Sequence, residues 1–333
     1  MAYSLTEIRT RTRHDPAAFL AECDEAYQER IRHAADVIVQ RMEKSPIVLL
    51  SGPSGSGKTT SALKLEEELE RRGVNTHTVS LDNYFHPPSH PAAPRTPEGD
   101  IDFESPQLLD MALLDETFTR LSRGEEVTIP RFEFSRQMRN DAKGWPLHLR
   151  DNEVAIFEGI HALNDDIAGR HPEATALYVS ARSNVLEDGA IRFKGTWMRI
   201  TRRAVRDCNF RGTDLTDTLS MWHNVRRGEK RYISPYKGRA HIAWWIPRCP
   251  MRRRSSPITP PRWPRLWRVC PPAIPAGRSS TTCWMPSGGL SPSTPRWSRP
   301  APSSGSSSAA GPTDTSDPHL PGEIQERRNM THV

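Results

Sequence analysis

No uninterrupted apolar stretch of roughly eighteen residues occurs in the 333-residue chain, which excludes a membrane-spanning helix. The first residues, MAYSLTEIRTRTRHD, have no apolar core of the kind a secretory leader carries, so no export signal is expected. Cysteine is scarce: Cys23, Cys208, Cys249, Cys270 and Cys283 include no CxxC pair and make an odd set. That fits neither a disulfide framework nor a zinc site, and a reducing, cytoplasmic compartment is the expectation.

Lysine, phenylalanine and tyrosine are all missing from residues 239–333. That same stretch holds 17 of the 30 prolines, six of the nine tryptophans, and thirteen arginines against four acidic residues. Residues 1–238 carry 33 basic and 36 acidic side chains, so the net charge of +6 is a property of the C-terminal segment alone. No nucleic-acid partner is expected for the main domain, because a basic pI located in one segment is no evidence for a basic binding face elsewhere. An Arg/Trp-rich nucleic-acid binder would rest on this segment only.

That segment has neither helical nor strand periodicity, and proline opposes both. A Pro/Ser/Arg-rich disordered tail is the plain reading. Arginine without lysine, together with six tryptophans, points further, to GC-rich DNA read out of frame. Trp244-Trp245-Ile246 must be encoded TGG TGG ATH, which in the frame starting at each third nucleotide reads Val-Asp. Continued through Pro247–Arg252, that frame allows Val-Asp-Ser-Ala-Leu-Pro-Tyr-Glu, a sensible strand and turn. We expect one lost nucleotide near Ala240. The organisation read from sequence is therefore a helical extension over 1–45, a main domain over 46–240 and a disordered tail over 241–333.

Within 1–240 the apolar pattern alternates between helix and strand. Helices are expected near 15–44, 58–72, 106–123, 197–210 and 214–227, and strands at 47–52, 76–81, 154–157 and 176–181. EEVTIPRFEF and WPLHLR read as a short hairpin, and 83–104 as loop. Strands alternating with helices give an α/β fold with a parallel sheet flanked by crossover helices.

Gly52-Pro53-Ser54-Gly55-Ser56-Gly57-Lys58-Thr59 satisfies GxxxxGK[ST] directly after an expected strand and before an expected helix. Gly52, Ser54, Gly55, Ser56 and Gly57 let backbone N–H groups turn toward phosphate, with Thr60 following. Lys58 would bridge the β- and γ-phosphates of ATP, and the Thr59 hydroxyl would ligate Mg²⁺. Asp82, at the end of the second strand, can accept a proton from an attacking hydroxyl. Glu158, at the end of a buried strand, is placed for a metal. Arg199, Arg202, Arg203 and Arg206 share one helix face. Guanidinium forks suit phosphate oxygens.

Seven ordered motifs carry a resemblance over about residues 47–240. They are the phosphate loop, SLDNYF (80–85), GDIDFESP (99–106), PRFEF (130–134), IFEGIHALN (156–164), RRAVRDCNFRG (202–212) and VRRGEKRYI (225–233). The chain resembles the uridine kinase/phosphoribulokinase family of P-loop kinases. The resemblance implies a P-loop NTPase-type sheet with a mobile arginine lid, Arg203 and Arg206 of that lid as the phosphate contacts, ATP and Mg²⁺ as cofactors, Asp82 as base and Glu158 as metal-associated carboxylate. It also implies an acceptor site at Asp82, Tyr84, Phe132, Phe134 and Arg139, for a small molecule such as a nucleoside. Gln137 stands where uridine–cytidine kinases have His, and Phe132 where they have Tyr. Another small alcohol, or nucleotide binding without turnover, remain alternatives, and self-association is left open.

Overall fold

The computed structural model describes residues 2–133, 136, 138–181 and 183–245, with only the backbone of Trp245. Phe134 and residues 246–333, on which the sequence raised expectations, lie outside the described residues. The strands are β1 (Ala2–Ser4), β2 (Ile47–Ser51), β3 (Asn75–Ser80), β4 (Val127–Ile129), β5 (Phe132–Glu133), β6 (Met138–Arg139), β7 (Trp145–Leu147), β8 (Glu153–Glu158), β9 (Thr175–Ser180), β10 (Asn184–Glu187), β11 (Ala190–Phe193) and β12 (Ile242–Trp245). The helices are α1 (Leu5–His14), α2 (Pro16–Arg41), α3 (Lys58–Glu70), α4 (Met111–Ser122), α5 (Gly195–Phe210) and α6 (Leu215–Gly228).

Five strands form the central sheet in the order β12-β9-β2-β8-β3, every pairing parallel. β2 is buried along its whole length because helices cover both faces. Its side chains alternate between them. Ile47 and Leu49 join Phe118, Leu114 and Leu121 of α4 in one apolar cluster. Val48 and Leu50 join Ile31, Ala34, Ala35 and Ile38 of α2 and Leu65 and Leu69 of α3 in the other. The N-terminal extension is thus part of the sheet's cover, and its Tyr27 hydroxyl lies 2.7 Å from Ser61 Oγ of α3.

Several boundaries differ from the sequence pattern. The helix expected from Pro106 begins at Met111, because Pro106–Leu108 form a 3-10 turn and Leu109 is extended. Asp110 then caps α4 by accepting from the Leu113 N–H. The hairpin β10–β11 was not expected from the sequence. It closes at Asp188-Gly189 with φ of 52° and 78°, the left-handed pair that Asp-Gly supplies in tight hairpins. β1 adds to its outer edge in parallel. At the other sheet edge, β12 pairs with β9 from Ile242 opposite Leu177, and Trp244 is buried in the α2/α3 cluster. The Trp244 indole Nε1 has no hydrogen-bond partner among the described residues, an uncompensated burial of a donor. Among the described residues no helix is long and apolar enough to cross a membrane.

Candidate functional site

In a parallel sheet the chain leaves every strand on the same side, so loops after neighbouring strands meet there. β2 runs into the glycine-rich loop, β3 into a 3-10 turn over Leu81–Tyr84, and β8 into Gly159. Gly55 and Gly57 have φ of 76° and 90°, which only glycine adopts without strain. Gly57 caps α3 with no side-chain bond, leaving the first turn's N–H groups directed at whatever anion the loop holds. Gly52 has no room for a Cβ, since the Val179 carbonyl and Ser56 Oγ occupy that space. Ser56 Oγ is buried with no partner among the described residues, a polar atom that a phosphate oxygen would satisfy.

Lys58, Asp82 and Glu158 come together beyond the loop, each partly buried. Burial disfavours the Lys58 ammonium and lowers its pKa, while Glu158 and Asp82 act in the opposite direction. Burial likewise raises the Asp82 and Glu158 carboxyls against the opposing field of Lys58. Glu158 Oε1 accepts from the Thr59 hydroxyl at 3.3 Å, so the two groups assigned to a metal are neighbours. A hydroxyl beside a carboxylate, next to a phosphate cradle, is a donor set that fits Mg²⁺.

α5 lies against the loop with its arginine face inward. Arg203 Nη1 donates to Ser54 Oγ at 2.8 Å and its Nε pairs with Asp207 at 3.2 Å. Arg202 Nε donates to the Gly55 carbonyl at 3.2 Å. Arg206 is held by Asp207 at 2.6 Å, and with Arg211 its charge reaches Asp82. Arg199, read from sequence only as part of the basic face, is fully buried and places two donors on the Ser54 carbonyl.

The acceptor side departs from expectation at Tyr84. Tyr84 is fully buried, its hydroxyl 3.3 Å from Thr117 Oγ1, within the cluster of Phe118 and Ile129. Burial pushes its phenol well above the ordinary range. It packs the core where a substrate contact was expected, because the 3-10 turn directs it under the sheet while Asp82 faces the site. Arg139 is engaged by Asp110 at 2.8 Å and Asp141 at 2.9 Å, so it ties the β5–β6 hairpin to the start of α4. Phe132 is half-buried, edge-on to Phe85 with centroids 5.8 Å apart, and its N–H donates to Asn83 Oδ1 at 3.2 Å. That bond anchors the hairpin beside Asp82.

Glu104 was not singled out by the sequence, where it is one acid in a polar loop. Here it is largely enclosed, and burial raises its carboxyl to about 7 despite Arg203 and Lys58 nearby. Only a glycine at 228 leaves space for it, since a Cβ there would collide with the Glu104 Cβ. His161 is buried beside Lys58, lowered to about 3 by burial first and that charge second, and is therefore a neutral ring.

A glycine-rich phosphate loop on a parallel sheet, a lysine opening its helix, two strand-end acids and an inward arginine face define a P-loop kinase. The phosphoribulokinase/uridine kinase family profile matches residues 47–253, and the chain belongs to that family. It is 27% identical over 208 residues to a uridine kinase of Lactobacillus helveticus, covering 61% of this chain and 87% of that one. It is 25% identical over 204 residues to a uridine kinase of Ureaplasma urealyticum, covering 60% and 88%. A uridine kinase of Staphylococcus aureus is 26% identical over 202 residues, covering 60% and 87%.

Proposed function

We propose that the protein is an ATP- and Mg²⁺-dependent kinase that phosphorylates a hydroxyl of a neutral small molecule, a nucleoside such as uridine. The observation that carries this reading is the convergence of Lys58, Asp82 and Glu158 over the left-handed turns at Gly55 and Gly57. Bound ATP would supply the transferable phosphoryl group, and Mg²⁺ positive charge to offset that of the phosphates. Lys58 sits where negative charge develops during transfer. Thr59 and Glu158 would hold the cation. Asp82 takes the proton of the attacking hydroxyl, and its raised pKa brings it closer to the pH at which a general base works best. Arg203 and Arg206 neutralise the phosphates and close the site to water.

Charge on the acceptor side favours a neutral substrate over a phosphorylated sugar. Arg139 is held by Asp110 and Asp141, Arg136 and Lys143 by Glu133, and Arg227 by Glu98 and Asp102. His86 is lowered by burial and is neutral near pH 7. Phe134, Ser135 and Gln137 of the same stretch carry no positive charge. A second phosphate would meet the Asp82 and Glu104 carboxyls, while the hairpin cations Arg136, Arg139 and Lys143 are already paired. The uridine kinase relatives support a nucleoside. Labelled ATP offered with a panel of nucleosides, sugars and sugar phosphates tests this. Transfer to a nucleoside is expected, and transfer only to a sugar phosphate would overturn it.

A further inference from the structure

Arg199 is the largest fully buried side chain among the described residues, and its partners connect two distant parts of the chain. Nε and Nη2 converge on the Ser54 carbonyl at 3.1 and 3.0 Å. Nη1 pairs with Glu229, which is itself fully buried and also receives Arg226. The guanidinium packs over the Trp222 ring at 5.3 Å. Burial alone would raise the Glu229 carboxyl, yet Arg199 and Arg226 hold it below the usual range, so it is ionised.

The direction of the Ser54 carbonyl matters because a peptide unit is planar and trans. Fixing that oxygen outward fixes the Gly55 N–H on the opposite side of the same plane. Gly55 is the residue at φ 76°, and its backbone is wedged against α5, where a Cβ would meet the Arg199 carbonyl at 3.1 Å. A loop with so permissive a residue adopts one conformation only if something outside it specifies one. The Arg199 fork does so, and Glu229 holds the fork. Glu229 opens a π-helical turn, Glu229–Ile233, directly after Gly228. Such turns re-aim side chains that a regular helix would place elsewhere.

We propose that Glu229 is a positioning residue for the phosphate loop: by holding Arg199 on the Ser54 carbonyl it orients the Gly55 N–H toward the bound triphosphate. The proposal rests on the reading of residues 52–59 as the ATP cradle. It makes Glu229 part of the donor side although its carboxylate is separated from the cradle by the Arg199 side chain.

The test uses the full chain, with Glu229→Gln and the double variant Arg199→Met/Glu229→Met. Three quantities are measured: the Kd for Mg·ATP by calorimetry without acceptor, the acceptor KM, and Tm. Removing a whole buried ion pair is often neutral for stability, whereas removing one partner leaves a stranded charge. Glu229→Gln should raise the ATP Kd about tenfold, the size of one charge-assisted hydrogen bond, with the acceptor KM little changed. The double variant should regain part of the Tm lost in Glu229→Gln, since Arg226, also left without Glu229, is partly exposed and can turn to solvent, and should keep the weak ATP Kd. Wild-type ATP affinity in either variant, or recovery of affinity together with Tm in the double variant, would overturn the proposal by reducing the pair to a packing role. A wild-type protein that binds Mg·ATP but never transfers phosphate would overturn the kinase reading alone, since the Kd comparison stands without turnover.

Discussion

Gly159 and Leu81 are in contact across the ends of β8 and β3, so close that a Cβ on Gly159 would lie 2.7 Å from the Leu81 Cβ. This approach sets the spacing between Glu158, one residue before the glycine, and Asp82, one residue after the leucine. Both carboxylates depend on a packing contact between residues that do no chemistry.

Gly159→Ala is therefore expected to push the Leu81–Tyr84 turn away from β8. The phosphate loop is untouched, so Mg·ATP affinity should change little while kcat falls by at least about tenfold. Displacements of about 1 Å at a reacting pair cost on that scale or more. Steady-state kinetics beside ATP calorimetry check it, and an unchanged kcat would show that the turn tolerates the methyl group.

Lys58→Ala should abolish transfer while leaving the fold intact. Its ammonium is stabilised chiefly by Glu158 and Asp82 against the burial that opposes it, so little stability depends on it. A thermal melt within a few degrees of wild type, with no detectable labelled product, is the expected pair of results.

Glu104 gives a pH signature. Its folded pKa of about 7 lies above the ordinary 4.5, so its contribution to stability is complete below about 4.5 and is lost as pH rises through 7. Glu104→Gln removes that dependence. Without ligands, the variant should gain on wild type between pH 5 and 8, by at most about 3 kcal/mol for a shift of this size. Denaturant melts across that range measure the difference, and two parallel curves would show that Glu104 ionises normally.

Trp244 brings an indole N–H with no partner into the sheet's apolar layer, at the first stretch that the altered reading frame would reach. Restoring one nucleotide near codon 240 should replace it, continue the chain as Val-Asp-Ser-Ala-Leu-Pro-Tyr-Glu, and raise soluble yield and specific activity. Resequencing with no restorable frame, or a protease-resistant 246–333 segment, would contradict this.

The glycine-rich loop was legible because it is a local pattern: its glycines, lysine and threonine are close in sequence, and strand and helix flank it. The sheet was legible from apolar runs such as Val154–Phe157. Tyr84 was expected at the acceptor because it neighbours Asp82, while the 3-10 turn that sends it into the core leaves no periodic trace. The ion pairs of Arg139 with Asp110 and Asp141 were not legible because they form through tertiary contact. The same is true of Glu104, enclosed only when Gly228 arrives from α6, and of Glu229, whose role exists only through Arg199. The Asp188-Gly189 hairpin, by contrast, had a readable turn signal.

The most direct measurement is phosphoryl transfer from labelled Mg·ATP to uridine by wild type and Asp82→Asn, with ATP affinity measured on the same preparations. The substitution is nearly isosteric and removes the base while the cradle of Gly55, Gly57 and Lys58 stays. Transfer by wild type, with the variant binding ATP normally and losing about two to four orders of magnitude in kcat, is the predicted result. Equal rates in the two proteins, or loss of ATP affinity in step with rate, would contradict the assignment of Asp82 as the base on which the account turns.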